Sequence, residues 1–399
     1  MADFWWEAGG GDAECTRAYR AHAAYWYRKA IENGSLPGLT KALAEKRIAE
    51  AEKELDAAEA APQGVTEPKV AAVKRDPSQP PPKTLKLGNG ADVEFVGCPA
   101  GSFMMGKEGD DNPRSIYRYH KVNITRPFWL SKYKVTHGMW NAYRKVTLTK
   151  EDHALGGMKR VHCVRPVEAE AFCEWMTKRF HSSLPKGYVV RLPTEAEWEY
   201  ALKANVAVPD DPYIRIWDKR SYCYRMLKDG VAFLAFPEVK DYLVVWSLDI
   251  KPRLKAAGLW TAESDETERQ VCKRGGDWEK LLNIYGTEVG TKKPNVWGLF
   301  DMLGNLGELT LDVVDASRIP SGDGGRKKWE DQEAISYEEV ETDPLRRTPQ
   351  NIRGKNLFRG GHINFGWGVN PYAKNLDYVI HPFRLCVGPD LMKEKGFKK

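Results

Sequence analysis

Apolar residues recur at helical spacing twice near the start of the chain. Tyr19, Ala23, Tyr27 and Ala30 mark one stripe within residues 12–32, stopped by Asn33-Gly34-Ser35. Leu39, Leu43, Ile48 and Ala51 mark a second, highly charged stretch that runs to about Ala60. The spacing predicts a helical hairpin. One such hairpin cannot bury its apolar face alone. Residues 1–60 are therefore expected to be the end of a longer helical region, packed on chain that precedes it, on the main domain or on a partner. Over residues 61–83 the pattern is lost. Pro62, Pro68, Pro77, Pro80, Pro81 and Pro82 stand among Lys, Gln and Ser, which predicts an extended linker.

From Thr84 the pattern changes to short apolar runs and alternation. Leu85, Leu87, Val93, Phe95 and Val96 read as strands joined by a Gly88-Asn89-Gly90 turn, and Val122-Asn123-Ile124 and Phe128-Trp129-Leu130 as two more. Thr136 is placed to cap a helix carrying Met139, Trp140 and Tyr143. A longer helix is predicted over residues 166–180, with Pro166 in its first turn and Val167, Ala171, Phe172, Trp175 and Met176 as its buried stripe. Residues 205–290 are rich in aromatic and branched side chains and core-forming, but yield no assignable strands. Residues 315–350, dominated by Asp, Glu, Arg and Gly, read as a surface insertion, and residues 391–399 as a basic tail.

Composition narrows the possible functions. A chain of 399 residues with 14 Trp, 17 Tyr and 13 Phe can bury a sizeable core and is not a disordered polymer. The formal charge of +6 is spread along the chain, with no basic groove interleaved with aromatics, which argues against nucleic acid as a partner. No apolar run has the length of a membrane span. The opening MADFWWEAGGGD has neither a basic n-region nor an apolar h-region, so no signal peptide is expected, and Trp5-Trp6 so close to the start suggests a fragment of a longer chain. The seven cysteines show no CxxC pair and no zinc-ligand spacing.

One stretch is over-determined. In Arg191–Ala201, RLPTEAEWEYA, Pro193 discourages helix upstream, Thr194 can cap, and Glu197 three residues on completes a capping box. Strand Tyr188-Val189-Val190, a sharp turn and a capped helix follow from these residues alone. Glu195, Glu197 and Glu199 suit the helix dipole, and read as caps and ion-pair partners rather than catalysts. The same stretch resembles the central motif of the sulfatase-modifying factor family, the formylglycine-generating enzymes and their relatives, and other motifs of that family occur in its order. Pro99–Gly106 (PAGSFMMG), Ser131–Thr136 (SKYKVT) with Trp140, and Ala171–Trp175 (AFCEW) precede it or lead to it. Asn295–Asn305 (NVWGLFDMLGN), Arg359-Gly360-Gly361 and Pro382-Phe383-Arg384-Leu385 follow. The resemblance covers about residues 84–390. It implies an α+β, irregular C-type-lectin-like domain of formylglycine-generating-enzyme type, preceded here by the short helical hairpin.

The resemblance also implies chemistry, and the residues depart from it. In the family two cysteines after R-G-G bind copper and the substrate thiol, since soft thiolates hold Cu(I). Those positions fall on Phe365 and Asn370 here, and Gly361–Ile380 contains no cysteine. This argues against copper and against oxidase activity. Pro166 takes the place of a Trp that lines the family's core. Cys173 matches a half-cystine of some relatives, but Cys386 is displaced by one residue from its partner's position, which favours two reduced thiols. Leu303–Glu308 (LGNLGE) resembles the family's calcium loop G-N-x-W-E. A structural calcium is expected on the carbonyls of Leu303, Gly304 and Leu306 and the Glu308 carboxylate, the alternative being that Glu308 is a buried partner of an arginine. Gly307 stands where the family has Trp.

The functional expectation is a non-catalytic relative that binds a protein or peptide through the segment before Phe383. Asn364, Phe365, Trp367, Asn370, Tyr372, Tyr378 and His381 combine aromatic anchors with amides and an imidazole, a mixture suited to recognition. A sugar ligand fits less well, as no E-P-N or Q-P-D tripeptide occurs. Two alternatives remain. One is an oxidoreductase of formylglycine-generating type drawing thiols from Cys163 or Cys272. The other is a diversified lectin-like binding protein, in which Gly361–His381 is the variable surface.

Overall fold

The computed structural model describes residues 38–60, 78–106, 119–204, 250–262, 286–315, 340–345, 354–359 and 380–397, with individual positions between 3 and 34 and at 264. The chain divides into two units, Met1–Ala72 with Asp210–Tyr242 and Val73–Pro209 with Leu243–Lys399.

In the first unit, the described positions from Arg20 to Glu32 are helical and α1 runs Gly38–Ala60. Ala23, Tyr27 and Ala44 are buried together, with Trp6, Ile31 and Ile48 packed on them. Arg20 and Arg47 lie 5.1 and 5.2 Å over the Trp6 ring, and Arg47 also bonds Asp3 and the Tyr27 hydroxyl. The second stripe needs correction. Leu43 is 45% exposed, while Ala44 and Ala51 are buried. Small residues let two highly charged helices approach closely, and Leu43 falls on the outer face.

The second unit carries the motifs. Its main sheet is built from β1 (Lys83–Leu85), β2 (Val93–Cys98), β5 (Phe128–Ser131), β6 (Tyr188–Arg191) and β10 (Cys386–Pro389), in the order β1-β2-β5-β10-β6 with every pair antiparallel. β3 (Gly101–Met105) and β4 (His120–Ile124) form a second sheet, to which β8 (Val340–Thr342) adds in parallel. β7 (Glu308–Asp315) and β9 (Gly354–Arg359) form a bulged antiparallel ribbon. This is the mixed helix and sheet architecture of a C-type-lectin-like α+β fold.

Helix α2 (His137–Asn141) starts at Thr136, whose Oγ accepts the Met139 N–H. α3 (Lys150–Ala154) is followed by α4 (Pro166–Phe180), whose bounds match the sequence reading. Its buried stripe is Ala169, Phe172, Cys173 and Met176, at i, i+3, i+4 and i+7. Val167 is 63% exposed, because helical phase places it on the face opposite Met176. Trp140 stacks on Phe172 (centroids 5.1 Å apart, 20°), and Phe383 packs edge-on against both.

Three stretches read as peripheral contribute to the domain, one being the expected basic tail, where a short helix Leu391–Glu394 puts Leu391 and Met392 into the core. The end of the predicted linker packs on the main sheet: Gln79 is buried and donates to the Gly97 carbonyl, and the Trp129 indole donates to the Pro81 carbonyl. Within the predicted surface insertion, β8 pairs with β4, Glu341 meets the His120 ring at 3.0 Å, and Asp343 accepts the Thr125 N–H. Among the described residues no helix is long and apolar enough to cross a membrane.

Candidate functional site

Arg191, the last residue of β6, and Glu197 on α5 (Glu195–Lys203) meet beneath the main sheet. The Thr194–Glu197 capping box is present in both directions, at 3.1 and 2.9 Å. Glu197 takes the Arg191 guanidinium bidentately, 2.7 Å to each oxygen, and Arg191 also donates to the Leu192 and Pro389 carbonyls. Burial acts against the Arg191 charge, but Cys386 and Glu197 outweigh it and raise its pKa. Glu199 pairs with Lys203 at 2.8 Å and accepts the Gly106 N–H, while the Glu195 N–H is held by Asp312. The carboxylates of Glu197 and Glu199 thus sit in structural contacts.

A second charge cluster lies where the calcium loop is expected. Gly304, Asn305 and Leu306 have φ of 77°, 48° and 73°, three successive left-handed residues. Glycine adopts this freely, whereas for Leu306 it costs roughly 1–2 kcal/mol. The turn directs the carbonyls of Gly304 and Leu306 to one point, which holds Lys134 Nζ at 3.0 and 2.6 Å. Glu308 Oε1 is the third partner of that ammonium, at 3.1 Å. The Glu308 carboxylate also takes Arg384 bidentately at 2.6 and 2.9 Å, and Arg384 donates further to the Ser131 and Phe300 carbonyls. Burial pushes the Glu308 carboxyl up, yet Arg384 and Lys134 prevail and hold it below the ordinary value. Burial lowers the Lys134 pKa and pushes that of Asp301 up. Leu303 is buried beside the turn. Asn305 secures the loop by accepting the Thr287 N–H at 2.9 Å.

Lys134 is the residue that sequence reasoning missed. It lies within SKYKVT, yet no chemistry pointed to it. The available signal was a lysine between Tyr133 and Val135 in a stretch otherwise destined for the core.

The same loop anchors the predicted recognition segment. Glu308 pairs with Arg359 in the β7–β9 ribbon, and Leu309 is bridged to Phe383 and donates its N–H to the Pro382 carbonyl. Two adjacent residues therefore hold both ends of residues 360–382. Asn364, Phe365, Trp367, Asn370, Tyr372 and Tyr378 lie outside the described residues. His381 is described and is buried: its backbone pairs with Val164 in both directions, and burial pulls its pKa down to about 4. Its side chain is enclosed and not part of an exposed surface.

The described thiols are those of Cys98, Cys163, Cys173 and Cys386, none of them in a disulfide. Cys98, Cys173 and Cys386 are buried, and burial raises Cys98 and Cys386 far above the ordinary thiol. Cys163 is half-buried as a residue, but its thiol is enclosed and pushed up to about 12. Cys272 lies outside the described residues. Nearby, His137 and His162 face each other with Nδ1 atoms 3.0 Å apart, and His137 Nε2 lies 3.3 Å from Asp152, itself paired with Arg160. Burial lowers both imidazoles, His162 to about 4. Neutral at physiological pH, the pair shares one hydrogen bond. Among the described residues, no group of three or more His, Cys, Asp or Glu is placed to hold a metal ion.

Comparison with known proteins gives the following. The model of the sulfatase-modifying factor enzyme 1-like domain matches residues 89–371. Among solved structures, the Treponema denticola variable protein 1 is similar at 18% identity, TM-score 0.43, over 78% of this chain and 100% of that one. PvdO from Pseudomonas aeruginosa matches at 18% identity, TM-score 0.39, over 77% and 99%, and CarF at 14% identity, TM-score 0.36, over 76% and 100%. No curated protein matches.

Proposed function

The chain belongs to the sulfatase-modifying factor enzyme 1-like family, and we propose that it uses that family's scaffold as a binding module for a protein or peptide rather than as a copper-dependent thiol oxidase. The observation that carries this reading is the anchoring of residues 360–382 at both ends by the adjacent Glu308 and Leu309. A segment whose ends are fixed to rigid elements is a suitable place for recognition, because the ordering entropy of its stem is already met by folding. The sequence between those ends supplies Phe365, Trp367, Tyr372 and Tyr378 with Asn364 and Asn370. Aromatic side chains of this kind bury large area with few rotatable bonds.

The copper reading has less support. Its two thiol positions are Phe365 and Asn370. In the family the copper ligands are soft thiolates, and neither of these side chains can supply one. The diversified-lectin reading uses the same segment and differs only in how its sequence arises.

The test is a pull-down with wild type and the Trp367→Ala/Tyr372→Ala double variant, alongside copper loading. The expected result is a specific partner captured by wild type and lost by the variant, with the circular dichroism of the two unchanged. Stoichiometric Cu(I) binding with turnover of a cysteine peptide overturns the proposal.

A further inference from the structure

We propose that the Lys134 ammonium is a built-in structural cation, standing at the point where the Gly304–Glu308 loop is expected to hold calcium. The donor count supports a charged amine. An ammonium has three N–H donors and no acceptor, and the three oxygens around Nζ, those of Gly304, Leu306 and Glu308, are all acceptors at 2.6–3.1 Å. A neutral amine would turn a lone pair towards one of them.

The residues present do not fit a calcium ion as well. Calcium takes six to eight oxygens at about 2.3–2.6 Å. Two of the oxygens expected to serve it are already bonded to Lys134, and both oxygens of Glu308 are engaged by Arg384. Lys134 and Glu308 are each 0% exposed, so the amine has no route by which a small rotation would take it into water. Two cations already face one carboxylate here. A divalent ion would stand beside two buried cations, in surroundings that screen their repulsion poorly. The left-handed turn through Gly304, Asn305 and Leu306 is what a loop closing around a central cation requires, and the ammonium gives it that cation covalently.

The consequence is a scaffold whose anchor for residues 360–382 does not vary with the calcium level. It stands whatever that segment binds. The test is native-state reductive methylation in chelator and in millimolar calcium, with modification of each lysine read by mass spectrometry. Lys134 is expected to remain unmodified under both conditions, while the exposed Lys86 and Lys159 are modified in both. Modification of Lys134 on addition of calcium overturns the proposal, since it means that the ion displaces the amine. A second measurement needs no labelling: Lys134→Met in chelator is expected to lower Tm by about 10 °C, because the buried carbonyls of Gly304 and Leu306 lose their donor. An unchanged Tm overturns the proposal equally, because the ammonium would then be holding nothing.

Discussion

Glu197 and Glu308 are both buried carboxylates that take an arginine bidentately, yet they differ in what else surrounds them. Glu197 faces one cation, Arg191, and its remaining contacts are a backbone N–H and a thiol. Glu308 faces two cations, Arg384 and Lys134. Around Glu197 the charges cancel within a stretch of seven residues. Around Glu308 they come from β7, from the turn after β5 and from the approach to β10, and two cations share the one carboxylate. Asp301 is enclosed as well, with burial pushing its carboxyl up. A locally balanced pair can fold as a unit with its helix. The other cluster forms only when three distant segments have met.

The largest effect that follows is at Glu308. Glu308→Gln keeps the shape and removes the carboxylate that two buried cations both bond, so a loss on the order of 5 kcal/mol or more is expected. Urea unfolding, or failure to recover soluble protein, reads it. A loss no greater than that of the equivalent change at Glu197 would break the contrast between the two sites.

Glu197→Gln leaves one buried guanidinium without its partner, for about 3–5 kcal/mol. The sharper version is a rescue. Replacing both members, Arg191→Met with Glu197→Leu, removes the charges together and is expected to recover much of the loss. No single second substitution can do the same at Glu308, since Lys134 or Arg384 always remains. Chemical denaturation of the two series distinguishes a pair from a triad; equal rescue at both sites would show that Lys134 is uncharged.

This difference also sets what could be read from the sequence. Thr194, Glu197 and the strand before them were legible because a capping box acts over three residues, and the bounds of α4 followed from Pro166 and an i, i+3, i+4 pattern. The motif order fixed the fold because each motif has its own local physics. The cradle was legible only in part: Glu308 as an arginine's partner was one of two readings, and Lys134, some 170 positions from the carbonyls it joins, had no local signal. β8 was hidden for the same reason, being a three-residue strand that only its pairing with β4 stabilises. Val167 and Leu43 were misplaced because hydrophobicity alone does not say which of two helix faces is covered.

Acid should separate the regions further, by a smaller amount. His381 packs near Lys134, and burial holds its imidazole at about 4 against 6.5 ordinarily. A depressed folded-state pKa means that the unfolded chain binds the proton first. The stabilisation is complete above pH 6.5 and is lost as pH falls towards 4, amounting to about 2 kcal/mol at pH 5. Denaturation midpoints between pH 7 and 5 should therefore fall in wild type, and His381→Gln should flatten that slope in proportion. A slope unaffected by the substitution would place the acid sensitivity elsewhere, His162 being the next group with its pKa pulled as low.

The smallest effect tests whether the Glu197 region is governed by its cap or by its charge. Thr194 Oγ accepts the Glu197 N–H at 3.1 Å, and Thr194 is buried, so no water replaces the hydroxyl when it is removed. Thr194→Ala is expected to cost about 1 kcal/mol, rising towards 2 because the orphaned N–H stays covered. The reciprocal half of the box survives the change, since Glu197 Oε2 accepts from the Thr194 backbone and Arg191 still holds both carboxylate oxygens. Thr136→Ala is a suitable comparison: it removes the same kind of cap from α2, whose capping hydroxyl, unlike that of Thr194, is not returned by a carboxylate three residues on. If charge governs the region, the two substitutions lower the urea midpoint by similar small amounts. A loss at Thr194 approaching that of Glu197→Gln would mean that the hydroxyl positions the carboxylate for Arg191, so that cap and pair act as one unit.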